Sequence, residues 1–191
     1  VWRGYLDTTF PGYRQDVANQ LRPFLEKVYR TSDEHLGLLL SRRPPNSLFA
    51  VISDHGIQGI NKRVALNRAL QEAGLLFLDG QGKVDLSKTR IVYPAVNNGY
   101  LLINSTDRKS GIVAPEERAA LIAKARDALL AIRDGERAVV KSVYNAETEG
   151  TSRELGGEVG GDLYVDLAPG YDFDPRLGAG PLITDTEPYG T

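Results

Sequence analysis

Apolar residues recur at helical spacing early in the chain: Leu25, Val28, Leu36 and Leu39, with Ser32 among them, share one stripe. Pro23 predicts the first turn of that helix, where a missing N–H costs nothing. Arg42-Arg43-Pro44-Pro45-Asn46 predicts its end, because consecutive prolines cannot continue it. Residues 48–53 then form a continuous apolar run without alternation. Such runs suit a strand buried on both faces, as in a parallel sheet sandwiched by helices. The run stops at Asp54-His55-Gly56. Asn61 is a good N-cap for a following helix that carries Val64, Ala65, Leu66, Ala69, Leu70 and Ala73, with Gly74 as its stop. Helix, buried strand, polar corner, helix is an α/β rhythm.

Further along, residues 2–6 predict a short strand ending at Asp7, and residues 75–78, 91–96, 100–104, 138–144 and 163–167 predict others. Pro115, followed by Glu116 and Glu117, opens the clearest helix, since acidic side chains in a first turn complement the helix dipole. Leu121, Ile122, Ala125, Leu129 and Ile132 form its apolar face, and Gly135 closes it. After Leu167 the texture becomes loop-like, with Ala168-Pro169-Gly170-Tyr171 and residues 177–181 lacking any period. A long loop there is either a lid or site wall, or a wrap over the sheet edge.

The chain has 191 residues, enough for one sizeable core. Apolar residues at 41% and charged residues at 25% are the proportions of an ordinary globular domain. Formal net charge is -2, with the basic residues spread along the chain, so a polymeric nucleic-acid substrate is not expected. No apolar run approaches the ~20 residues of a membrane span. Residues 1–7 lack a basic-then-apolar leader and do not begin with methionine, so the polypeptide is expected to continue upstream. There is no cysteine, which leaves His, Asp and Glu as ligands for a transition metal, and only two histidines are present.

The sharpest chemical feature is Ser53-Asp54-His55-Gly56. Ligands in open α/β sheets gather beyond the carboxyl ends of strands. An adjacent carboxylate and imidazole there offer an oxygen and a nitrogen donor, both suited to zinc. The plainer alternative is an aspartate capping the next loop beside a hydrogen-bonded histidine. His35, at the margin of the first helical stripe, reads as a helix-surface histidine. Residues 156–161 are rich in glycine but lack the Lys-Ser/Thr and helix of a phosphate loop, so they read as a connector. Asn104-Ser105-Thr106 has the form of a glycosylation acceptor and reads as a turn. Asp172-Phe173-Asp174 has alternating carboxylates but no calcium loop around them.

The segment from Leu48 to Leu76, with Ser53-Asp54-His55-Gly56 and then Leu66-Asn67, Leu70 and Gly74-Leu75-Leu76, resembles the type I phosphodiesterase and nucleotide pyrophosphatase family of the alkaline phosphatase superfamily. The resemblance continues through Gly99-Tyr100, Ile103-Asn104, Arg108, Gly111-Ile112-Val113 and Pro115-Glu116-Glu117-Arg118. It runs on to Asp162-Leu163 and Pro169-Gly170-Tyr171. It implies a three-layer α/β/α fold with a mostly parallel central sheet, of which residues 1–191 would be the C-terminal part of one catalytic domain.

The resemblance also implies two divalent metal ions, usually zinc with manganese possible. A small phosphodiester or nucleotide is the implied substrate. A threonine or serine nucleophile would lie upstream of Val1. Asp54 and His55 would bind the nucleophile-side ion. The second ion would take an Asp-x-x-x-His pair, for which Asp7 is the candidate aspartate, but Pro11 stands where the histidine belongs. A last histidine would follow Gly190-Thr191. Two alternatives stay open: a metal-dependent phosphomutase of the same superfamily, and a binding module whose metal site has decayed.

Overall fold

A computed structural model of the chain describes residues 7–8, 12–94, 99–153, 155 and 160–190. The chain divides into two compact units, residues 1–61 with 187–191, and residues 62–186.

In the first unit, helix α1 spans Gln15–Ser41 and starts eight residues before Pro23. Val17 and Leu21 carry the Leu25–Val28 stripe toward the N-terminus, which is why the helix begins earlier than the proline signals. Asp16 sits in the first turn, where it complements the dipole, and Arg14 pairs with it at 2.6 Å. The helix stops where the sequence says it should, ahead of Pro44-Pro45. Its stripe is poorly covered: Ala18 is its one buried residue, and Val28 and Leu39 are exposed. His35 is exposed on this helix. The predicted strand at residues 2–6 lies outside the described residues.

The expectation of a strand buried on both faces at residues 48–53 is not met. The segment 48–58 has no regular structure, and Leu48 and Ile52 are 95% and 90% exposed. A fully apolar strand becomes buried only when neighbours pair with both its edges. Among the described residues no strand does so.

The chain next enters β1 (Gly59–Val64), so Asn61 lies in a strand and not at a helix cap. Helix α2 (Leu66–Glu72) begins after Ala65 and buries Leu66, Asn67, Ala69 and Leu70. Gly74 ends it at φ 67, and the N–H of Leu75 bonds back to the carbonyl of Leu70 at 2.8 Å. Buried Asn67 makes a two-way clamp with the backbone of Tyr93: its Nδ2 donates to the carbonyl at 2.9 Å, and the Tyr93 N–H donates to its Oδ1 at 2.8 Å. Of the predicted strand at 75–78 only an isolated Leu78–Val84 bridge forms, because the buried Thr89 hydroxyl takes both backbone groups of Phe77.

Strands β2 (Ile91–Val92) and β3 (Tyr100–Ile103) follow. A turn at Pro115–Glu117 then leads into α3 (Arg118–Leu130), with Glu117 accepting the Ala114 N–H at 3.0 Å. Leu121, Ile122, Ala125, Leu129 and Ile132 are buried, as their spacing predicts. The two-residue strands β4 (Arg133–Asp134) and β5 (Arg137–Ala138) turn at Gly135 with φ 59. After them come β6 (Val140–Asn145), α4 (Ala146–Arg153), β7 (Leu163–Leu167), β8 (Gly170–Phe173) and β9 (Ile183–Gly190). The loop-like tail expected after Leu167 therefore contains two strands. Each has few apolar residues and lies among glycines and prolines, which hides it from a composition-based reading.

The sheets run in the orders β8-β1-β9, β2-β3-β7-β6 and β4-β5. The fold is mixed α/β, but no mostly parallel central sheet is found among the described residues: β2–β3, β3–β7, β6–β7 and β4–β5 are all antiparallel. Parallel neighbours need a crossover of a dozen or more residues, and the link between β2 and β3 is too short for one. Strands β3 and β7 (at its start) also alternate between buried and part-exposed residues, as one-sided antiparallel strands do. The core of this unit is built by Leu66, Leu70, Leu101, Leu129, Val140 and Leu163. Among the described residues no helix is long and apolar enough to cross a membrane.

One ionic network in this unit reports on pH. Lys62 lies 2.5 Å from Asp134 Oδ2, to which the buried Tyr171 hydroxyl also donates at 2.7 Å. The Lys62 ammonium, helped by Tyr171, holds the Asp134 carboxyl below its ordinary value. Asp134 in turn raises Lys62. Asp134 thus contributes stability that is complete above its unfolded value of about 4 and is lost as pH falls through the depressed folded value. The contribution of Lys62 is complete below about 10.4 and is lost as pH rises through the raised folded value. Urea unfolding followed from pH 6 to pH 3 is expected to show a smaller acid loss for Asp134→Asn than for the unmodified chain.

Candidate functional site

The corner at residues 53–56 is held by short-range hydrogen bonds. Ser53 Oγ donates to the His55 carbonyl at 2.9 Å, and the His55 N–H donates to Asp54 Oδ1 at 3.0 Å. His55 Nδ1 lies 2.9 Å from the Gly56 carbonyl oxygen. That oxygen can only accept, so Nδ1 is the donor of this contact. Nε2 stands 3.5 Å from Asp54 Oδ2. Nε2 and Oδ2 therefore face one another, while Nδ1 and Oδ1 are already committed.

The separation is informative. A charge-assisted hydrogen bond between imidazolium and carboxylate would close to ~2.7–2.9 Å. Two ligands of one tetrahedral zinc, each at ~2.1 Å, stand ~3.4 Å apart. The observed 3.5 Å lies near the second of these distances. A ligating histidine also donates its other N–H to a carbonyl or carboxylate, which fixes the tautomer; here the Gly56 carbonyl does so. Asp54 and His55 offer one oxygen and one nitrogen donor, two of the four that a tetrahedral zinc takes.

That is only half. The Asp54 and His55 side chains are 89% and 68% exposed, so water competes strongly for any ion they hold. Among the described residues no three His, Asp or Glu side chains are grouped to hold a metal. Asp7 is half-buried and is not joined with Asp54 and His55 in such a group. Pro11, whose position bears on the second ion, lies outside the described residues.

The remaining motifs resolve toward structure. Asn104 Nδ2 donates to the carbonyls of Leu86 and Thr89, which ties it into a turn. Asp174 is buried and takes Arg176 at 2.6 Å, so it is a braced ion pair. Most of the glycine-rich stretch at 156–161 lies outside the described residues. Burial, with Asp172 and Asp174 nearby, pushes the Tyr93 phenol up to about 12.

Sequence reasoning missed a second cluster, around Asp162. This carboxylate is 11% exposed and accepts from Arg108 Nη2 at 2.9 Å, Arg118 Nη2 at 3.1 Å and the Ile103 N–H at 2.7 Å. The partners are 54 and 44 positions away in sequence, so no local motif announces the cluster. The one available signal was the pair Arg108 and Arg118 flanking a Gly-to-Pro turn.

Compared with known proteins, residues 12–179 match the family described as type I phosphodiesterase / nucleotide pyrophosphatase. No curated protein and no solved structure gives a significant match.

Proposed function

The chain belongs to the type I phosphodiesterase / nucleotide pyrophosphatase family, and from that premise we propose that it carries part of the metal centre of a phosphodiester or nucleotide pyrophosphate hydrolase. Asp54 and His55 supply the oxygen and nitrogen ligands of one divalent cation, with zinc favoured by the donor pair. Residues 1–191 form the C-terminal part of a single catalytic domain in this reading. The nucleophile is a threonine or serine supplied from upstream of Val1. Asp7 remains the candidate aspartate for a second ion.

The observation that carries the reading is the facing pair, Nε2 and Oδ2, at 3.5 Å. Its support is the Gly56 carbonyl that fixes the imidazole tautomer. A bound divalent cation supplies Lewis acidity toward the nucleophile and the phosphoryl oxygens. This chain's residues contribute orientation: the His55 amide holds Oδ1 so that Oδ2 stays turned to the site. Ser53 Oγ, bonded to the His55 carbonyl, fixes the backbone between them.

Substrate comparison tests the proposal. With zinc present, the polypeptide that includes the upstream nucleophile is expected to hydrolyse a bis-aryl phosphodiester and to be blocked by a chelator. Turnover of a glycerate or sugar phosphate with no diester cleavage would favour the phosphomutase alternative. A protein that binds no stoichiometric metal would favour the binding module.

A further inference from the structure

Within residues 62–186 lies a cleft of about 430 Å³, walled by Ser105, Arg108, Pro115, Arg118, Glu147 and Asp162. Its size falls in the ~300–1,000 Å³ range of small-molecule sites. We propose that this cleft binds a phosphate- or diphosphate-bearing small molecule through the guanidiniums of Arg108 and Arg118. The inference goes beyond the hydrolytic reading and needs neither Asp54 nor His55.

Each guanidinium has five N–H donors in a rigid fork suited to phosphate oxygens. Each commits one Nη2 to Asp162. That carboxylate also takes the Ile103 amide, so it anchors both arginines and accepts three hydrogen bonds in all. The arginines remain part-exposed, at 39% and 23%, and so can take a ligand.

The loop that carries Arg108 is fixed before any ligand arrives. The Asn104 carbonyl accepts both the Ile112 and Val113 amides, and a Cβ on Gly111 would stand 1.8 Å from the Ser105 carbonyl oxygen. A site assembled in advance loses less freedom on binding. Pro115, in the turn leading into α3, and the first residues of α4 also line the cleft.

Three carboxylates oppose the two arginines, and their commitments decide the balance. Asp162 is tied to both arginines and to the Ile103 amide. Asp107 is bound by the Ser105 hydroxyl. Glu147 is 70% exposed and stands 3.9 Å from Arg118, a loose, salt-screened contact that an incoming phosphate displaces.

Calorimetric titration of inorganic pyrophosphate into the full chain tests the proposal, with a chelator present so that no bound cation contributes. One molecule per chain is expected to bind, more weakly as salt rises. Glu147→Gln should tighten binding about threefold to tenfold, because it removes the competing carboxylate. Arg108→Ala should weaken it at least about tenfold. Arg108→Lys keeps the charge but loses the fork, and it should fall between the two; it also serves if the alanine variant does not fold. Absence of saturation up to about 10 mM would overturn the proposal. So would binding indifferent to both Glu147→Gln and Arg108→Lys. The chelator confines the result to the cleft, so a failure here leaves the hydrolytic reading standing.

Discussion

Replacing Asp162 with alanine is expected to lower the unfolding free energy by about 3 kcal/mol. This carboxylate is the meeting point of β3, through the Ile103 amide, of the turn bearing Arg108, and of α3, through Arg118. Its removal strands a backbone N–H and two guanidiniums at once. Hydrogen bonds to a charged group each contribute ~1.5–3 kcal/mol, but the arginines are part-exposed and recover some hydration, so the sum is discounted. Asp162→Asn keeps an oxygen for Ile103 and loses the charge, so it should cost roughly half as much. Urea unfolding of the three proteins measures this directly. A loss below about 1 kcal/mol for the alanine variant would mean that the cluster does not hold these elements together.

The second large effect falls on the metal corner. Asp54→Ala or His55→Ala is expected to weaken zinc binding by more than about 100-fold. Loss of a group that merely orients a ligand costs ~10–100-fold, and removal of the ligand itself costs more. Hydrolysis should fall with metal occupancy in both variants. Ser53→Ala removes only the brace on the His55 carbonyl, so it should produce a smaller loss.

The sequence foretold much of the fold where local rules decide the outcome. Strand β7 has the bounds its apolar pattern predicts. Helix α3 starts just after Pro115 and buries the face its spacing marks. Gly74 takes the left-handed conformation expected of a helix stop. The misreadings fall where partners decide. The 48–53 run has the composition of a buried strand, yet burial depends on neighbours that the described residues do not provide. The parallel sheet is an implication of the family resemblance that the run merely suits, and β2–β3, β3–β7 and β6–β7 pair antiparallel instead. Strands β8 and β9 were hidden because each carries only a few apolar residues between glycines and prolines.

The candidate site was legible in part. Asp54 and His55 are adjacent in sequence, so their proximity needed no tertiary fold; the facing of Nε2 and Oδ2 is a matter of local hydrogen bonding, visible only in three dimensions. The Asp162 cluster had the opposite character. Arg108 and Asp162 stand out individually, but nothing local joins residues that far apart.

The central claim is that the Nε2 of His55 and a carboxylate oxygen of Asp54 share a divalent cation. Nitrogen-15 NMR of the His55 ring during a zinc titration tests it most directly. The account predicts that Nε2 shifts as it coordinates, that Nδ1 keeps its proton toward Gly56, and that Asp54→Ala abolishes the shift at the same zinc concentration. An Nε2 resonance that ignores zinc, or that responds equally well without the Asp54 carboxylate, would contradict it.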